Sequence, residues 1–290
     1  MNLILMGNHK RGKLMLALVF IGVIVNSFAQ TPKEEKSIIK VLSYNIHYGV
    51  GMDGEKDLQR IADVINKLQP DLVGLQEVSD SIMVAKLAQL TGMEGVFGAS
   101  TEKEPPNLYR LLSIPVPESQ LHYGDAVLSK YPMKYIGNLS LPSASSSRYE
   151  AMCVDVKISR FKGKEDKIRF VNTHFDYLET IGSKEARKTS VEVIEQAFFA
   201  EHVPLAILTG DLNVVPNAEP MQLLEEKGWM YESLGKELFT VPVVQPKKQI
   251  DYILPRPKSK WKVIAVEAVP ETMASDHLPL LMHLELIQKK

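Results

Sequence analysis

From residue 38 to the end of the chain, short apolar runs alternate with stretches in which apolar residues recur every three or four positions. Apolar runs rich in β-branched residues are typical of buried strands, and the longer spacing is typical of amphipathic helices. The runs predict strands at residues 38–44, 72–75, 126–128, 151–158, 168–173, 205–208, 261–269 and 280–287.

The amphipathic stretches predict helices at residues 58–68, 81–90, 184–201 and 221–227. In the first, apolar residues at helical spacing run from Leu58 to Leu68, and Pro70 ends the pattern. The residues of the third that we expect to be buried are Ala186, Val193, Ile194 and Ala197. Strands that alternate with helices, without a break in composition, predict one α/β domain over residues 38–290. The pattern leaves the order of the strands in the sheets open.

Residues 1–29 have the pattern of a secretory signal peptide. Three basic residues within 10–13 precede an apolar run at 14–25, and a small-x-small pattern ends at Ala29. The run is shorter than the ~20 residues that span a bilayer as a helix. We therefore expect cleavage near Ala29, a linker at 30–37, no stable membrane span after cleavage, and a secreted or periplasmic protein.

Composition and charge exclude several classes of protein. The chain has 45% hydrophobic and 24% charged residues, which excludes disordered and fibrous classes. With 34 basic and 35 acidic residues the formal net charge is −1, which argues against a protein that binds nucleic acid through a broad basic face. Because Cys153 is the only cysteine, no disulfide can form within the chain, and its apolar neighbours predict a buried thiol.

Polar side chains suited to metal binding or catalysis occur next to the apolar runs. These residues are Asn45, His47, Glu77, His174, Asp176, Asp211, Asn213, Asp251, Asp276 and His277. Ligands of open α/β sheets bind beside strand ends, so we expect these groups to converge on one cleft.

The chemistry of this set favours metal-assisted hydrolysis. Carboxylate and amide oxygens suit Mg²⁺, a hard cation that keeps waters for a substrate phosphate, and Mn²⁺ is an alternative with similar preferences. Histidines can hold a phosphoryl oxygen or protonate a leaving group. The sequence contains no paired cysteines and no HExxH, GxSxG or P-loop motif. Hydrolysis of a phosphate ester is the simplest chemistry that uses these groups.

Some of these residues have simpler explanations. An aspartate after a strand commonly bonds to nearby backbone amides in a turn, and this alternative stays open for Asp176. His47 is equally consistent with a site residue and with a surface residue. Arg148 lies in a serine-rich stretch, where it is either a solvated loop residue or a bidentate anion-binding group.

Six short strings, in order along the chain, resemble the endonuclease/exonuclease/phosphatase family. They are Ser43–His47 (SYNIH), Leu75–Val78 (LQEV), Asn172–His174 (NTH), Gly210–Asn213 (GDLN), Ile250–Tyr252 (IDY) and Ser275–His277 (SDH). The resemblance covers about residues 38–287 and implies the DNase I-like fold, a two-sheet β-sandwich flanked by helices with the site at one end. Residues 49–62 and Gln249–Asp251 (QID) look most like the bacterial metal-dependent hydrolase branch of that family.

The resemblance implies a metal site and a water-activating residue. Glu77 would be the principal Mg²⁺ ligand, assisted by Asn45 and Asp276. Asp211 would position and deprotonate the attacking water, and Asn213 would orient water or phosphate.

It also implies groups that contact the phosphate. His277, oriented by Asp251, would stabilise charge on a non-bridging oxygen, and His174 would contact the phosphate from the other side. Arg148 and His47 are candidate substrate-binding residues, although many relatives have an aspartate where His47 stands.

The sequence thus predicts a secreted Mg²⁺-dependent phosphoesterase that hydrolyses a phosphodiester or a phosphomonoester by in-line attack of water. Its substrate would be a lipid, a small molecule or nucleic acid. A nuclease is the alternative enzyme, and a non-catalytic binding module on the same fold is the alternative from another class. The charge balance favours a substrate other than nucleic acid. The proline-rich segment 99–122 resembles an insertion, and Asp125 stands where relatives often have asparagine.

Overall fold

The computed structural model describes residues 38–99, 124–145, 147–158, 166–201, 203 and 205–287. The predicted signal peptide and linker, and all but the first residue of segment 99–122, lie outside these ranges, so those predictions stay predictions. Within the described ranges, no helix has both the length and the apolar character needed to cross a membrane.

The described residues form two sheets. Their strands are β1 (Ile38–Asn45), β2 (Leu72–Val78), β3 (Glu94–Ala99), β4 (Gly124–Ser129), β5 (Met133–Ser140), β6 (Glu150–Ile158), β7 (Asp166–His174), β8 (Ala206–Asp211), β9 (Asp251–Arg256), β10 (Trp261–Ala268) and β11 (Leu280–Leu286). The six-stranded sheet has the order β10-β11-β1-β2-β4-β3, and the five-stranded sheet has the order β5-β6-β7-β8-β9. Only β1 with β2 and β7 with β8 run parallel among the paired strands described.

Four α-helices flank the sheets in the described part of the chain: α1 (Leu58–Leu68), α2 (Ser81–Thr91), α3 (Ile181–Phe198) and α4 (Glu219–Glu226). All four were predicted, but α3 begins and ends three residues before its predicted bounds. Its start is set by Thr180, whose hydroxyl accepts the backbone N–H of Ser183. Because the buried stripe of α3 includes Val191, Ile194 and Phe198, Ala197 points to solvent, and its predicted burial was wrong.

Three apolar clusters make the architecture a four-layer sandwich. The central cluster lies between the sheets, with Val41 and Val127 from one sheet and Phe170 and Ile207 from the other. A second cluster packs α1 and α2 on the outer face of the six-stranded sheet. A third packs α3 and α4 on the outer face of the five-stranded sheet. The structure therefore confirms the predicted two-sheet sandwich flanked by helices.

The strands that the hydrophobic pattern missed all lie at sheet edges. β3 is one edge of the larger sheet, and β5 and β9 are the two edges of the smaller one. β3 contains two glycines, β5 is mostly half-exposed, and β9 contains Pro255. Edge strands tolerate proline and need less apolar surface than central ones, so their sequences carry a weaker strand signal.

Candidate active site

Strand directions bring the predicted site residues to one edge of the sandwich. β1 lies parallel to β2, and β7 lies parallel to β8, so their carboxyl ends point the same way within each sheet. β9 is antiparallel to β8, so Asp251 at its start lies opposite Asp211 at the end of β8. Asp211 in turn lies opposite His174 of β7. Residues far apart in sequence therefore meet because of strand direction and register.

Asn45 joins the two halves of this edge. Its amide nitrogen donates to Glu77 Oε1 at 3.1 Å and to Asp211 Oδ2 at 3.2 Å. Its amide oxygen accepts the backbone N–H of His47 at 3.1 Å. Because Asn45 and Glu77 belong to the six-stranded sheet and Asp211 to the other, these bonds hold the two carboxylates at a shared position between the sheets.

Two histidines face the same oxygen of Asp211. His174 Nε2 lies 3.5 Å from Asp211 Oδ2, and His277 Nε2 lies 3.7 Å from it. The other ring nitrogen of His277, Nδ1, lies 2.9 Å from Asp251 Oδ2, which also accepts the hydroxyl of Thr240. A carboxylate that holds one imidazole nitrogen orients the other toward the reacting group. The geometry matches the predicted pairing of Asp251 with His277.

Asn213 completes the surroundings of Asp211 and His174. Its backbone N–H donates to Asp211 Oδ1 at 3.0 Å, and its side-chain nitrogen lies 3.2 Å from His174 Nε2. The same side-chain nitrogen donates to the backbone oxygen of Phe175 at 2.9 Å. Each oxygen of Asp211 therefore has fixed neighbours, as general-base catalysis requires.

The site concentrates negative charge. Burial raises the pKa of Asp211, and the nearby charge of Asp251 raises it further. Burial also raises the pKa of Glu77, the amide of Asn45 opposes that shift, and the charge of Asp276 adds to it. Carboxylates with raised pKa values lack sufficient positive charge around them, and a bound cation would supply it.

The two histidines have opposite electrostatic environments. Burial lowers the pKa of His174 to about 3, and the neighbouring His277 contributes to the decrease. Burial also acts to lower the pKa of His277, but the charges of Asp251 and Asp211 outweigh it and raise the value to about 10. At neutral pH the site thus combines a neutral imidazole with a positively charged one, which suits different roles toward a phosphate.

Backbone strain is concentrated at this edge. His47, Tyr48, Glu77 and Asn213 are non-glycine residues with φ of 43°, 55°, 56° and 50°. Glu77 lies within an irregularity in the pairing of β2 with β4, between Leu75 and Val78. Such conformations cost on the order of 1–3 kcal/mol each and tend to cluster at functional sites. They are a second indication, independent of charge, that this edge is functional.

A cleft of about 260 Å³ opens at these residues, lined by Glu77, Ser147, Tyr149, His174, Tyr177, Asp211, Asn213 and His277. Five of the eight were predicted as site residues. Sequence reasoning missed Ser147, Tyr149 and Tyr177, which lie outside the recognised strings. The ring of Tyr149 packs edge-on against His174 with 5.2 Å between centroids. The position of Tyr149 beside Arg148, already a candidate, was the only available signal.

Five predicted residues do not line this cleft. Asn45 and Asp251 lie behind the cleft. Asn45 donates to Asp211, and Asp251 holds the ring of His277. His47 Nδ1 lies 3.3 Å from the backbone oxygen of Val50, in a short 3₁₀ turn after β1.

The remaining two are Arg148 and Asp276. Arg148 is half-buried between the cleft residues Ser147 and Tyr149. Asp276 accepts a hydrogen bond from the hydroxyl of Ser275 at 3.3 Å, and its charge raises the pKa of Glu77. The substrate-binding roles of Arg148 and His47 stay predictions, as does the ligand role of Asp276.

Asp176 proves to be a structural anchor. It is buried, and its Oδ2 accepts the hydroxyl of Ser143, the backbone N–H of Ala144 and the hydroxyl of Ser183 at 2.8–3.1 Å. This carboxylate joins the end of β7, the 143–145 turn and the start of α3. The turn leads directly to Ser147 and Tyr149, so Asp176 supports the cleft without lining it.

A neutral polar network lies between the sheets behind the site. The side chain of Asn172 accepts from Gln76 at 2.6 Å and from Thr209 at 2.9 Å, and donates to the backbone oxygen of Leu75 at 2.7 Å. These hydrogen bonds link β2 of one sheet to β7 and β8 of the other. Asn172 in the NTH string therefore joins the sheets, and His174 in the same string reaches the cleft.

The structure brings together one set of side chains that could hold a metal ion, and the sequence predicts another. Buried Asp211, Asp251 and His277 offer ligand atoms that lie within 4.8 Å of one another. The set predicted from sequence consists of Glu77 and Asp276 with Asn45. The side-chain nitrogen of Asn45 donates to Glu77 and Asp211, and its oxygen already accepts one bond from the backbone of His47. A ligand role for Asn45 would therefore use the second lone pair of that oxygen.

Comparison with known proteins identifies a family. Residues 42–277 match the sequence model of the Endonuclease/Exonuclease/phosphatase family. No curated protein sequence matches the chain.

Solved structures share the fold. An endonuclease/exonuclease/phosphatase from Beutenbergia cavernae has a TM-score of 0.65 and 23% identity, with 86% of this chain and 72% of that chain covered. The human nocturnin catalytic domain with bound sulfate has a TM-score of 0.60 and 19% identity, with 87% of this chain and 96% of that chain covered. A mannosyl-6-phosphatase from Bacteroides thetaiotaomicron has a TM-score of 0.58 and 17% identity, with 86% of this chain and 100% of that chain covered. At these identities the likeness shows a shared fold.

Proposed function

The chain belongs to the endonuclease/exonuclease/phosphatase family, whose members hydrolyse phosphate esters, and on that premise we propose that it is a Mg²⁺-dependent phosphoesterase. The observation that carries the proposal is the convergence of Glu77, His174, Asp211, Asn213 and His277 on one cleft. This set contains a general base, groups that can hold a phosphate and an acidic position for a cation. We further propose that the protein acts outside the cytoplasm, because residues 1–29 resemble a secretory signal peptide.

Asp211 would take the proton of the attacking water. Asn45 and the backbone of Asn213 hold its two oxygens, so the carboxylate is oriented before substrate binds. His277, held by Asp251, would donate from Nε2 to a non-bridging phosphoryl oxygen and stabilise the charge that develops there. His174 lies on the other side of Asp211 Oδ2 and would contact the phosphate as a neutral imidazole.

Glu77 and Asp276 would hold the cation, with the oxygen of Asn45 as a further ligand. Their fit to Mg²⁺ or Mn²⁺ rests on the oxygen-only ligands and on the raised pKa of Glu77, which indicates unbalanced negative charge. The alternative set is less suitable for Mg²⁺, because it includes a nitrogen ligand whose ring is already held by Asp251 at 2.9 Å, whereas Mg²⁺ prefers oxygen ligands. When bound, a divalent cation supplies Lewis-acid polarisation of a phosphoryl oxygen.

The test measures hydrolysis of bis(4-nitrophenyl) phosphate and 4-nitrophenyl phosphate by the mature protein with Mg²⁺ or Mn²⁺. Loss of a general base typically costs 10²–10⁴-fold, so Asp211→Ala should lose about that much activity and keep its circular dichroism spectrum. Asp63→Ala, an exposed change on α1, is the matched control and should keep full activity. EDTA should abolish activity, and added Mg²⁺ should restore it.

Near-wild-type turnover by Asp211→Ala would remove the assignment of the base. Activity that resists EDTA would remove the metal. If calorimetry shows Mg²⁺ binding and no phosphoester is hydrolysed, the non-catalytic binding module becomes the better explanation.

A further inference from the structure

A second and larger cavity adjoins the catalytic cleft. It has a volume of about 620 Å³ and shares Tyr177 and Asn213 with the cleft. Its walls come from the first turns of α3 and α4, the segment after β8 and the loop before β9. The volume is typical of a site for a small organic ligand. A ligand whose phosphate occupied the cleft would extend its remaining atoms into this cavity.

The cavity has an excess of positive charge. Four basic and two acidic side chains line it: Lys184, Arg187, Lys188, Lys248, Glu179 and Glu219. The chain as a whole has a formal net charge of −1, so this excess is local. A local excess of positive charge in a concave site favours anionic ligands.

The basic groups differ in how far they are already paired. Lys188 lies 2.9 Å from Glu219, and Lys184 lies 3.6 Å from Glu179. Arg187 is buried, and its guanidinium donates to the backbone oxygens of Asp176 and Leu178, which fixes its position.

Lys248 is the basic group best placed to bind a ligand. It has no ion pair within the described part of the chain, and its side chain is exposed at the rim of the cavity. Its backbone is bonded to Val241, and its carbonyl accepts the N–H of Thr240 at 2.8 Å. A fixed backbone with an available ammonium group is suited to bind an anion.

The remaining wall is apolar. Val214, Val215, Val241 and Ile250 line it, and Val215 is 41% exposed. Tyr177, at the junction with the cleft, is 55% exposed. Large apolar side chains exposed together at a cavity indicate contact with the carbon skeleton of a ligand.

We propose that this cavity binds the alcohol portion of the substrate, and that this portion carries a second anionic group, a phosphate or a carboxylate, beside Lys248. The substrate is therefore a small polyanionic phosphate ester. The inference rests on the proposed function, which places the reacting phosphate in the cleft. A cavity of this size, in a chain without net positive charge, favours a small molecule over nucleic acid.

The test compares glucose 6-phosphate with glucose 1,6-bisphosphate, which differ by one anionic group. Binding is measured by calorimetry with Mg²⁺ in Asp211→Ala protein, so that hydrolysis does not interfere. Because charge-assisted bonds are stronger than neutral ones, we expect the bisphosphate to bind about tenfold more tightly. Lys248→Gln should reduce this preference to about twofold.

Lys247→Gln is the matched control. Lys247 is the exposed neighbour of Lys248 and does not line the cavity. This substitution, made in the wild-type protein, should leave hydrolysis of 4-nitrophenyl esters unchanged, and made in Asp211→Ala protein it should keep the full preference for the bisphosphate. The same preference should appear in kcat/KM of the wild-type protein.

The outcomes separate this inference from the proposed function. Equal binding of the two sugar phosphates, no binding of either, or an equal effect of both lysine substitutions overturns the inference while hydrolysis of 4-nitrophenyl esters still supports the function. Tighter binding of the bisphosphate without hydrolysis of any ester supports the cavity and removes the function. A single-stranded oligonucleotide that binds more tightly than the bisphosphate overturns the small-molecule assignment.

Discussion

The strands on either side of β7 each carry a buried aspartate that residues of β7 face, Asp155 on β6 and Asp211 on β8, and the charges around the two differ. Part way along β7, Arg169 donates to Asp155 at 2.9 Å, and Lys167 lies 2.9 Å from the same carboxylate. At its carboxyl end, His174 faces Asp211, which has the acidic Asp251 opposite it. Both aspartates are buried in the same sheet, and they differ in the charge of their partners.

That difference sets their pKa values in opposite directions. Burial acts to raise the pKa of Asp155, but the hydrogen bonds from Arg169 and Lys167 outweigh it, and the pKa is lowered. For Asp211, burial and the charge of Asp251 act together, and the pKa is raised. A paired carboxylate stabilises the fold, whereas an unbalanced one in a cleft is available for a cation or a proton. Electrostatics thus separates the structural Asp155 from Asp211, the proposed general base, where residue type does not.

Among changes to the carboxylates around these two aspartates, the largest expected effect comes from removing the charge that supports His277. Asp251→Asn keeps the shape of the side chain and removes the charge that raises the pKa of His277. We expect kcat/KM to fall about 10²-fold, or ~2.7 kcal/mol in transition-state stabilisation. An NMR titration of the imidazole should show a lower pKa for His277. Activity within threefold of wild type would separate Asp251 from the reaction.

A smaller effect is expected where the carboxylate is paired. Asp155→Asn weakens the bonds from Arg169 and Lys167, and we expect the free energy of unfolding to fall by about 2 kcal/mol, the range for hydrogen bonds to charged groups. Activity should be unchanged. Because the native pKa of Asp155 is lowered, the charge contributes stability above the ordinary carboxyl pKa, and this contribution is lost as the pH falls through the native pKa.

Urea unfolding at neutral and acidic pH measures the effect of Asp155→Asn. The difference between wild type and variant should disappear in acid. If the two free energies of unfolding differ by no more than about 0.5 kcal/mol at neutral pH, the ion pair contributes no more than an ordinary surface residue does.

The smallest expected effect is a gain in stability. Asp125 of β4 is buried, and neither of its carboxylate oxygens has a hydrogen-bond partner among the described residues. Burial, together with the charge of Glu150, raises its pKa well above the ordinary value. Asp125→Asn removes the cost of burying an ionisable carboxyl group, and we expect the variant to be about 1 kcal/mol more stable at neutral pH.

The pH dependence of this gain has a definite sign. A group with a raised native pKa contributes stability below its unfolded pKa and loses it as the pH rises through the native pKa. The advantage of Asp125→Asn should therefore vanish in acid and grow as the pH rises above the ordinary carboxyl pKa. Thermal unfolding at acidic and neutral pH checks it. A variant that is less stable than wild type at every pH would show that the carboxylate is needed.

Much of the fold followed from local pattern. The four helices were predicted from apolar spacing and stop signals such as Pro70, and the inner strands from apolar runs. Of the residues of α3 that were predicted to be buried, Ala186 and Ile194 are buried and Val193 is half-buried, whereas Ala197 is exposed. In a helix with weak amphipathic spacing, the buried face is decided by the sheet against which it packs. The edge strands β3, β5 and β9 were missed because glycines, half-exposed positions and a proline weaken their apolar pattern, whereas the edge strand β10 was predicted.

Some residues of the candidate site were likewise predicted from sequence, and others were not. Glu77, Asp211 and His277 lie in strings whose order resembles a known family, so sequence alone marked them. Tyr149 and Tyr177 lie in no such string, and their place in the cleft depends on the turn that Asp176 anchors.

Residue types and spacing along the chain established one α/β domain, since helical period and apolar runs are local properties. The sandwich and most groups at its reactive edge were predicted from motifs whose order resembles a known family. Folding alone decided which aspartate is paired and which is not, and that a basic cavity lies beside the cleft. Those features depend on strand register and on distances between residues far apart in the chain. The electrostatic environment of a side chain is the sum over such neighbours, and no segment contains it by itself.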